Sequence, residues 1–368
     1  MLDEFGLIQH LANGLPDAVK AGADVRIGIG DDAAVLGGPP GEDWLATTDS
    51  MVESVHFTAQ TMSWKDVGYK CVAASVSDIA AMGGTPRYVL MSLVLPKPSG
   101  TPSSLMAMSS AEAGRAGDTE AGRTANAEGL SLENLEALYE GIGECCLLYN
   151  CQVVGGNVTS TRGPVVLTST VLGTVPSGNA LLRSGAQPGD LVFVTGPVGG
   201  SGAGLQYLSA PQTGLSLPAD EAALLRTAHQ RPTPQVTAGT ILREVGASSC
   251  DDISDGLASE LNEIAKASGV RLRISRERIP VAPEVRNFAR IQGVDPLTYA
   301  WYGGEDYQLV GTASPFAFAR ALTRLQALGV PLTQIGRVEV GDGVVAEGDG
   351  KGLEVIEAKG YNHFNSGS

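Results

Sequence analysis

Carboxylates recur at turn or strand-end positions in five separate segments of this chain, each beside a Gly, Ser or Thr. A single acid in such a turn is ordinary cap or turn chemistry, but caps do not require paired acids. Carboxylate oxygens suit Mg²⁺, which fills the rest of its octahedron with water and substrate phosphate. A fold that gathers these segments would therefore hold several ions. They are Gly30-Asp31-Asp32, Thr47-Thr48-Asp49, Ser77-Asp78, Asp251–Gly256 and Gly303–Asp306.

Strand-like and helix-like segments alternate in both halves of the chain, which is typical of an α/β fold. The length of 368 residues suggests two domains, and the turn-rich segment 177–190 separates them. We predict two mixed α/β domains, residues 1–176 and residues 177–368. The clearest segments are the strands 44–48, 88–95 and 191–195 and the helices 67–82, 132–149 and 257–268.

Residues 97–130 differ in composition from the segments on either side. They are rich in Ser, Ala, Gly, Thr and Pro, and they show neither the helical nor the strand period. We interpret this stretch as an inserted, flexible surface loop without catalytic residues.

The formal net charge of −15 limits the partners of this protein. A surface this negative repels nucleic acid and anionic membranes, so neither is an expected partner. Phosphate substrates would be repelled as well unless cations intervene. If the protein handles phosphates, a divalent metal is the natural mediator.

The five cysteines form no CxxC motif and no paired site with histidine. Buried, reduced thiols are therefore expected rather than disulfides or a zinc site. The N-terminal segment is acidic and lacks the features of a signal peptide, and the longest apolar stretch, residues 88–95, is too short to span a bilayer. These observations predict a cytoplasmic location.

Two glycine-rich segments resemble nucleotide-binding motifs. Residues 28–33 fit the pattern G-x-G-x-x-A, but Asp31 and Asp32 within the turn would repel a pyrophosphate, so a Rossmann site is rejected. The segment Gly199–Gly204 follows a strand and lacks the Lys-Ser/Thr pair of a P-loop. Two interpretations of it stay open: backbone amides that bind an anion, or a turn that lets a helix pack closely on the sheet.

No Ser–His–Asp or Cys–His nucleophile set is evident among the four histidines. His56 is the one histidine near a candidate site, because it closely follows the Thr47-Thr48-Asp49 turn. A lone histidine is more often a structural residue than a functional one, but the position of His56 beside the acidic turn leaves both interpretations open for it.

Seven motifs taken together resemble the thiamine-monophosphate kinases, a family within a superfamily of ATP-using synthetases. They run in order over nearly the whole chain: GIGDDAAVL, TTDSMVESVHF, YKCVAASVSDIAAMGGTPRYVLMSLVLP, RSGAQPGDLVFVTGPVGGSGAGL, DDISDGLASEL, GGEDYQL and KGYNHF. The resemblance implies two α/β domains and a homodimer in which the N-terminal sheets pair into a barrel-like core, with ATP in a cleft near that interface. It also implies phosphorylation of thiamine monophosphate to thiamine diphosphate by ATP.

The resemblance also implies roles for individual residues. Magnesium ligands would be Asp32, Thr47, Thr48, Asp49, Asp78, Asn157, Asp252 and Asp255. ATP would contact Gly156, Asn157, Arg183 and Ser254, and thiamine monophosphate would contact His56, Glu305 and Tyr361. Participation of K⁺ is left open.

Asn157 departs from the family pattern, which has a metal-binding Asp after Gly-Gly. The change removes one negative charge from an ion's shell, so we expect a weaker metal site. One alternative is therefore a catalytically weakened protein that binds nucleotide or thiamine phosphate. Another is a different ATP-using synthetase of the same superfamily.

The expected mechanism needs no catalytic residue acting as base or nucleophile. A phosphate monoester has its second pKa at about 6 and is already ionised at neutral pH. The barrier is the repulsion and alignment of two polyanions, which Mg²⁺ would relieve. We therefore expect direct in-line transfer without a phosphoenzyme.

Overall fold

The computed structural model describes residues 8, 10, 12–13, 23–97, 130–210, 217–348 and 352–360. Apart from its two end residues, the predicted loop 97–130 lies outside the described residues, and so does Tyr361. Among the described residues, no helix is both long and apolar enough to cross a membrane. All five cysteines are buried and free, which confirms the prediction of buried thiols.

The N-terminal half contains a six-stranded mixed sheet with the strand order β1-β2-β3-β6-β4-β5. Its pairs are antiparallel except for β4 and β5, which run parallel. Two helices, α1 and α2, accompany the sheet. The elements are β1 Val25–Ile27, β2 Ala34–Gly37, β3 Glu42–Val52, α1 Trp64–Ala81, β4 Thr85–Pro96, α2 Leu132–Leu148, β5 Gln152–Thr161 and β6 Val166–Pro176.

The C-terminal half contains a seven-stranded mixed sheet with the strand order β13-β12-β9-β11-β7-β10-β8. Its strands are β7 Leu191–Thr195, β8 Ser249–Asp252, β9 Arg271–Ser275, β10 Leu309–Ala313, β11 Leu332–Glu339, β12 Gly343–Glu347 and β13 Leu353–Val355. Its helices are α3 Gly200–Ser209, α4 Ala219–Gln230, α5 Val236–Val245, α6 Leu257–Ser268, α7 Pro283–Gln292, α8 Pro296–Tyr302 and α9 Pro315–Gln326. Two mixed sheets with helices confirm the predicted α/β class.

Helix α1 is the element that links the two halves. Ser63 caps its N-terminus by accepting a hydrogen bond from the Asp66 amide, and the helix stops at Gly83, which has a φ of +67°. Its last residues, Ala80 and Ala81, belong to the same apolar core as residues of α5 and β10. A Cβ atom at Gly239 of α5 would lie 2.0 Å from the Ala80 carbonyl oxygen, so the two helices touch backbone to backbone.

On its other side, helix α1 packs closely against helix α2. A Cβ atom at Gly68 would lie 2.0 Å from the Leu138 carbonyl oxygen, and one at Gly141 would lie 1.8 Å from the Lys65 carbonyl oxygen. Packing this tight leaves α1 little freedom to move. Side chains that α1 sends toward the C-terminal half are therefore held in fixed positions.

Candidate functional site

A cleft of about 1420 Å³ lies where the two halves of the chain meet. Its N-terminal wall is formed by the β1–β2 connection, β3 and α1, and its C-terminal wall by the loops after β8 and α8. Carboxylates of both halves line it, and they come from four of the five predicted acidic segments and from Glu305 of the fifth. These side chains are Asp31, Asp32, Asp49, Asp78, Asp252, Asp255 and Glu305.

Three carboxylates lie close together at one edge of the cleft, which we call the acidic end. One oxygen each of Asp32, Asp251 and Asp252 lies within 4.8 Å of the others. In the described part of the chain, Asp32 Oδ2 and Asp251 Oδ1 are buried without a hydrogen-bond donor. Buried anionic oxygens without donors are costly, so this cluster fits a bound cation such as Mg²⁺.

Hydroxyl groups orient the neighbouring carboxylates. Thr47 Oγ1 donates to Asp78 Oδ2, and Ser77 Oγ donates to Asp252 Oδ2 over 2.6 Å. Ser75 of α1 similarly donates to Asp49 Oδ2 over 2.9 Å. Strand β3 and helix α1 thus set three of these acids in place.

Electrostatic repulsion within the cluster is strong. Burial and then Asp49 raise the pKa of the Asp78 carboxyl well above its ordinary value. Burial and then Asp32 raise the pKa of Asp252 from 3.8 to about 8. Without a cation, these groups resist carrying their charges together.

Thr48 also borders the cleft, but its hydroxyl group lies on the opposite face of β3 from Thr47. That hydroxyl lies 3.0 Å from Thr170 Oγ1 and donates to the Ser169 carbonyl oxygen over 3.1 Å. The Thr48 side chain is therefore engaged within the sheet.

Arg183 reaches into the acidic end. Its guanidinium pairs with Asp32 Oδ1, and its Nε lies 3.0 Å from Asp251 Oδ2. Its backbone amide donates to Asp31, whose pKa is raised to about 6 by burial and by Asp32. Asp251 was not among the predicted ligands, although the doublet with Asp252 is visible in the sequence.

Glu260 of α6 shapes the loop that carries Ser254 and Asp255. Its Oε1 atom accepts hydrogen bonds from the Asp255 amide over 2.7 Å and from the Ser254 amide over 3.3 Å. The carboxyl is wholly buried. Sequence reasoning missed Glu260, but an acid in the first turn of a helix, after a Ser-x-Gly turn, is a recognisable capping signal.

His56 and Glu305 also line the cleft, and neither belongs to the cluster of Asp32, Asp251 and Asp252. The Val52 amide donates to His56 Nδ1 over 3.0 Å, which orients the ring. Glu305 Oε2 lies 2.7 Å from Nζ of the buried Lys70. No local pattern in the sequence indicates a role for Lys70, because it lies in an otherwise apolar stretch of α1.

Gly156 and Asn157 lie away from this cleft, on the edge strand β5. Cross-strand partners connect Asp49 to Ser169, Ser169 to Met91 and Met91 to Gly156. Three strand spacings correspond to roughly 14 Å. Within one chain, the structure does not bring Gly156 and Asn157 to the other predicted ligands.

The glycine segment 199–204 forms a closely packed turn whose amides bind an internal carboxylate. The amides of Gly199 and Ser201 donate to the Asp306 carboxylate, so an internal anion already occupies the N-terminus of α3. A Cβ atom at Gly204 would lie 2.1 Å from the Leu225 carbonyl oxygen. Both features of the two open interpretations are therefore present: the turn packs closely, and its backbone amides bind a carboxylate, which is that of Asp306.

Comparison with known proteins agrees with this geometry. Residues 30–175 match the model of the AIR synthase related protein, N-terminal domain, and residues 187–349 match its C-terminal domain. The thiamine-monophosphate kinase of Bacillus subtilis (strain 168) is 36% identical over 367 residues, covering 99% of this chain and 100% of the relative. That of Aquifex aeolicus (strain VF5) is 32% identical over 363 residues, covering 99% of this chain and 98% of the relative.

A solved structure described as AaThiL complexed with AMPPCP and TMP superposes with a TM-score of 0.77 at 31% identity. The match covers 99% of this chain and 97% of that chain. Similarity of this extent, in sequence and in fold, shows that this chain belongs to the thiamine-monophosphate kinase family of AIR synthase-related proteins.

Proposed function

We propose that this protein transfers the γ-phosphoryl group of ATP directly to the phosphate of thiamine monophosphate, giving thiamine diphosphate and ADP. The observation that carries the proposal is one cleft lined by two chemically distinct groups of residues. A cluster of acids that fits a cation borders the cleft, and His56 and Glu305 line the same cleft outside that cluster. The family member complexed with AMPPCP and TMP binds an ATP analogue and the acceptor together, which supports this assignment.

The acidic end would hold Mg²⁺ through Asp32, Thr47, Asp49, Asp78, Asp252 and Asp255. The Thr48 hydroxyl is engaged with Ser169 and Thr170, so we do not assign it to an ion. The buried oxygens without donors at this end support that role. Bound Mg²⁺ would neutralise phosphate charge and align the donor. Arg183 and Ser254 border the same end and would contact ATP.

The acceptor would lie toward His56 and Glu305, with its phosphate directed to the acidic end. No residue has to remove a proton, because the attacking phosphate oxygen is already ionised at neutral pH. The contribution of the chain is to orient two polyanions and to hold them in line. Transfer in one step predicts inversion at a chirally labelled γ-phosphorus, and retention would refute it.

We also propose a homodimer formed through strand β5, whose pairing would build a barrel-like core from two N-terminal sheets. This strand is exposed along nearly its whole length, and Val153, Val154 and Val158 are 43%, 55% and 62% exposed. An open apolar edge of this kind favours pairing with another strand. Gly156 and Asn157 would then lie at the interface, where they could contribute to an ATP site shared by the two copies.

The dimer is tested by placing a charge on this edge. Val154→Lys should convert the dimer to a monomer in sedimentation measurements and lower activity. Val340→Lys is the matched control, because Val340 is also exposed but lies just after β11, away from β5. A Val154→Lys variant that keeps the size of the wild type would exclude β5 as the interface.

The reaction itself is tested by following ADP formation with thiamine monophosphate, and in parallel with thiamine, during a titration with Mg²⁺. We expect turnover only with the phosphorylated acceptor and only with Mg²⁺. Tight binding of both ligands without ADP formation would instead favour a binding protein.

Three further predictions concern the domain division, the cellular location and a monovalent cation. The division at residue 176 is supported by the sheets, since β1–β6 precede it and β7–β13 follow it. A cytoplasmic location and a role for K⁺ stay predictions.

A further inference from the structure

Lys70 is a wholly buried ammonium group at the junction of the two halves. Its side chain is 0% exposed, and its Nζ atom lies 2.7 Å from Glu305 Oε2. Burial lowers the pKa of Lys70, and the Glu305 carboxylate opposes this effect. A buried lysine is expensive to maintain, which calls for an explanation in terms of its partner.

The second neighbour of Lys70 is a neutral histidine. His229 Nδ1 lies 3.5 Å from Lys70 Nζ and 3.1 Å from Ser201 Oγ. Burial, and then the charge of Lys70, lowers the pKa of His229 to about 3. The charge of Lys70 is therefore balanced by Glu305. His229 is an uncharged polar neighbour of both side chains.

Glu305 is held in an unusual backbone conformation. Its φ is +66°, in the left-handed region that disfavours side chains other than Gly, Asn and Asp. Its amide donates to the Ser254 carbonyl oxygen over 2.6 Å, and the Tyr307 amide donates to the Ile253 carbonyl oxygen over 2.9 Å. These bonds pin the turn so that the Glu305 side chain, which is 24% exposed, borders the cleft.

Burial raises the pKa of the Glu305 carboxyl, but Lys70, His229 and His56 together lower it by more, so the net pKa lies below its ordinary value. The titratable groups that face this carboxyl are Lys70 on α1, His229 on α4, His56 after β3, and the adjacent Asp306 and Tyr307. Lys70, whose Nζ lies 2.7 Å from Oε2, is the largest of the influences that favour the ionised form of Glu305 against the effect of burial.

We propose that Lys70 is a positioning and specificity-determining residue for the acceptor, because it holds one oxygen of Glu305 from behind and leaves a charged carboxylate facing the cleft. Thiamine carries a permanent positive charge on its thiazolium ring, and a fixed carboxylate in this part of the cleft attracts that charge. This inference rests on the proposed function, since it identifies what one part of the site recognises. Lys70 itself does not touch the substrate.

The test uses three variants: Lys70→Met, Glu305→Gln and the double variant that combines these two. Each is compared with the control variant Lys65→Met. Lys65 is the matched control, because it lies on the same helix and also pairs with carboxylates, Glu140 and Glu144, but away from the cleft. In Lys70→Met, we expect the KM for thiamine monophosphate to rise at least about tenfold near neutral pH, with the KM for ATP changed less than about twofold. Raising the pH should recover much of the loss in Lys70→Met, because Glu305 regains its charge, but not in Glu305→Gln.

Each single variant leaves one buried charge without its partner, which could impair folding. The double variant removes both charges and so avoids this effect. Adding Lys70→Met to Glu305→Gln should not raise the KM for thiamine monophosphate further. A further tenfold rise would overturn the proposal, as would an equal loss of affinity for ATP or a defect in Lys65→Met of the same size.

Equilibrium binding without ATP gives a readout that does not depend on turnover. The wild type should prefer thiamine monophosphate over an analogue whose thiazolium is replaced by a neutral ring, and Lys70→Met and Glu305→Gln should lose that preference. An unchanged preference in both variants refutes the role of Lys70. If the wild type itself forms no ADP with thiamine monophosphate, the proposed function fails instead.

Discussion

Replacing Asp252 by Asn should stabilise the protein in the absence of metal and remove most of its activity. Asp252 lies at the end of β8, is 2% exposed and accepts a hydrogen bond from Ser77 Oγ over 2.6 Å. An Asn side chain keeps the size and can still accept this bond. The substitution therefore removes the charge with little change in packing.

The magnitude follows from the pKa of Asp252, which burial and then Asp32 raise from 3.8 to about 8. Between these pH values the folded chain holds a proton that the unfolded chain releases, so stability falls as the pH rises. At about pH 7 this penalty is at most about 4–5 kcal/mol, at roughly 1.4 kcal/mol per pH unit. At about pH 5 it is less than about 2 kcal/mol. The gain from Asp252→Asn should therefore grow with pH.

The assay is urea unfolding of wild type and variant in EDTA at these two pH values, repeated with Mg²⁺. In EDTA the variant should be the more stable protein, whereas Mg²⁺ should stabilise mainly the wild type. Activity at saturating Mg²⁺ should fall about 100-fold or more.

Asp43→Asn provides a control at a buried carboxylate outside the cluster. Asp43 accepts hydrogen bonds from Ser177 Oγ and the Gly178 amide, and lies 3.8 Å from Arg26 Nε. Its replacement should destabilise the chain, because favourable partners lose a charged acceptor. If Asp252→Asn is also destabilised in EDTA near neutral pH, mutual repulsion is not what dominates the cluster.

Three other perturbations test separate parts of the structure. Asn157→Asp should lower the Mg²⁺ concentration that gives half-maximal activity, and an unchanged titration curve would contradict a metal-binding role. Burial and then Lys70 keep the pKa of His229 at about 3 instead of 6.5, so the folded chain refuses a proton that the unfolded chain accepts. The wild type should lose about 2 kcal/mol between about pH 6.5 and 5 through this residue. Thermal melts of His229→Gln should lack this slope, while the exposed His10→Gln should keep it. Gly141→Ala should destabilise by about 1–3 kcal/mol in urea, whereas Gly143→Ala, which meets open space, should not.

The sequence predicted those elements whose signal is local. Helix α1 was expected over residues 67–82 and runs from Trp64 to Ala81, because its apolar period and the Gly83-Gly84 stop are both visible. The first turn of the helix was missed because the apolar period does not reveal the N-terminal cap. In this cap the Asp66 amide donates a hydrogen bond to the Ser63 hydroxyl. Strands β1 and β2 were not predicted, because three or four residues are too few to show alternation.

The acids of the cleft were identifiable because residue type alone limits what a carboxylate beside Gly or Ser can do. That Lys70 and Arg183 are the cations that pair with these acids was not identifiable from the sequence. Lys70 is 235 residues from Glu305, and Arg183 is 151 residues from Asp32. Nothing in the neighbourhood of either cation specifies its partner, because the pairing arises only when α1 and the C-terminal half pack together.

The pair Glu305-Asp306 shows why adjacent acids could not be separated by sequence. Left-handed backbone at Glu305 and at Tyr307, with φ of +66° and +50°, turns the two carboxyl groups in different directions. Glu305 faces Lys70 and the cleft, while Asp306 binds the amides of Gly199 and Ser201. The same turn therefore has two effects. It directs Glu305 to the candidate acceptor site, and it directs the Asp306 carboxylate to the amides of the glycine loop. A sequence pattern cannot distinguish these roles, since both depend on the sign of two backbone angles that the Ile253–Ser254 hydrogen bonds impose.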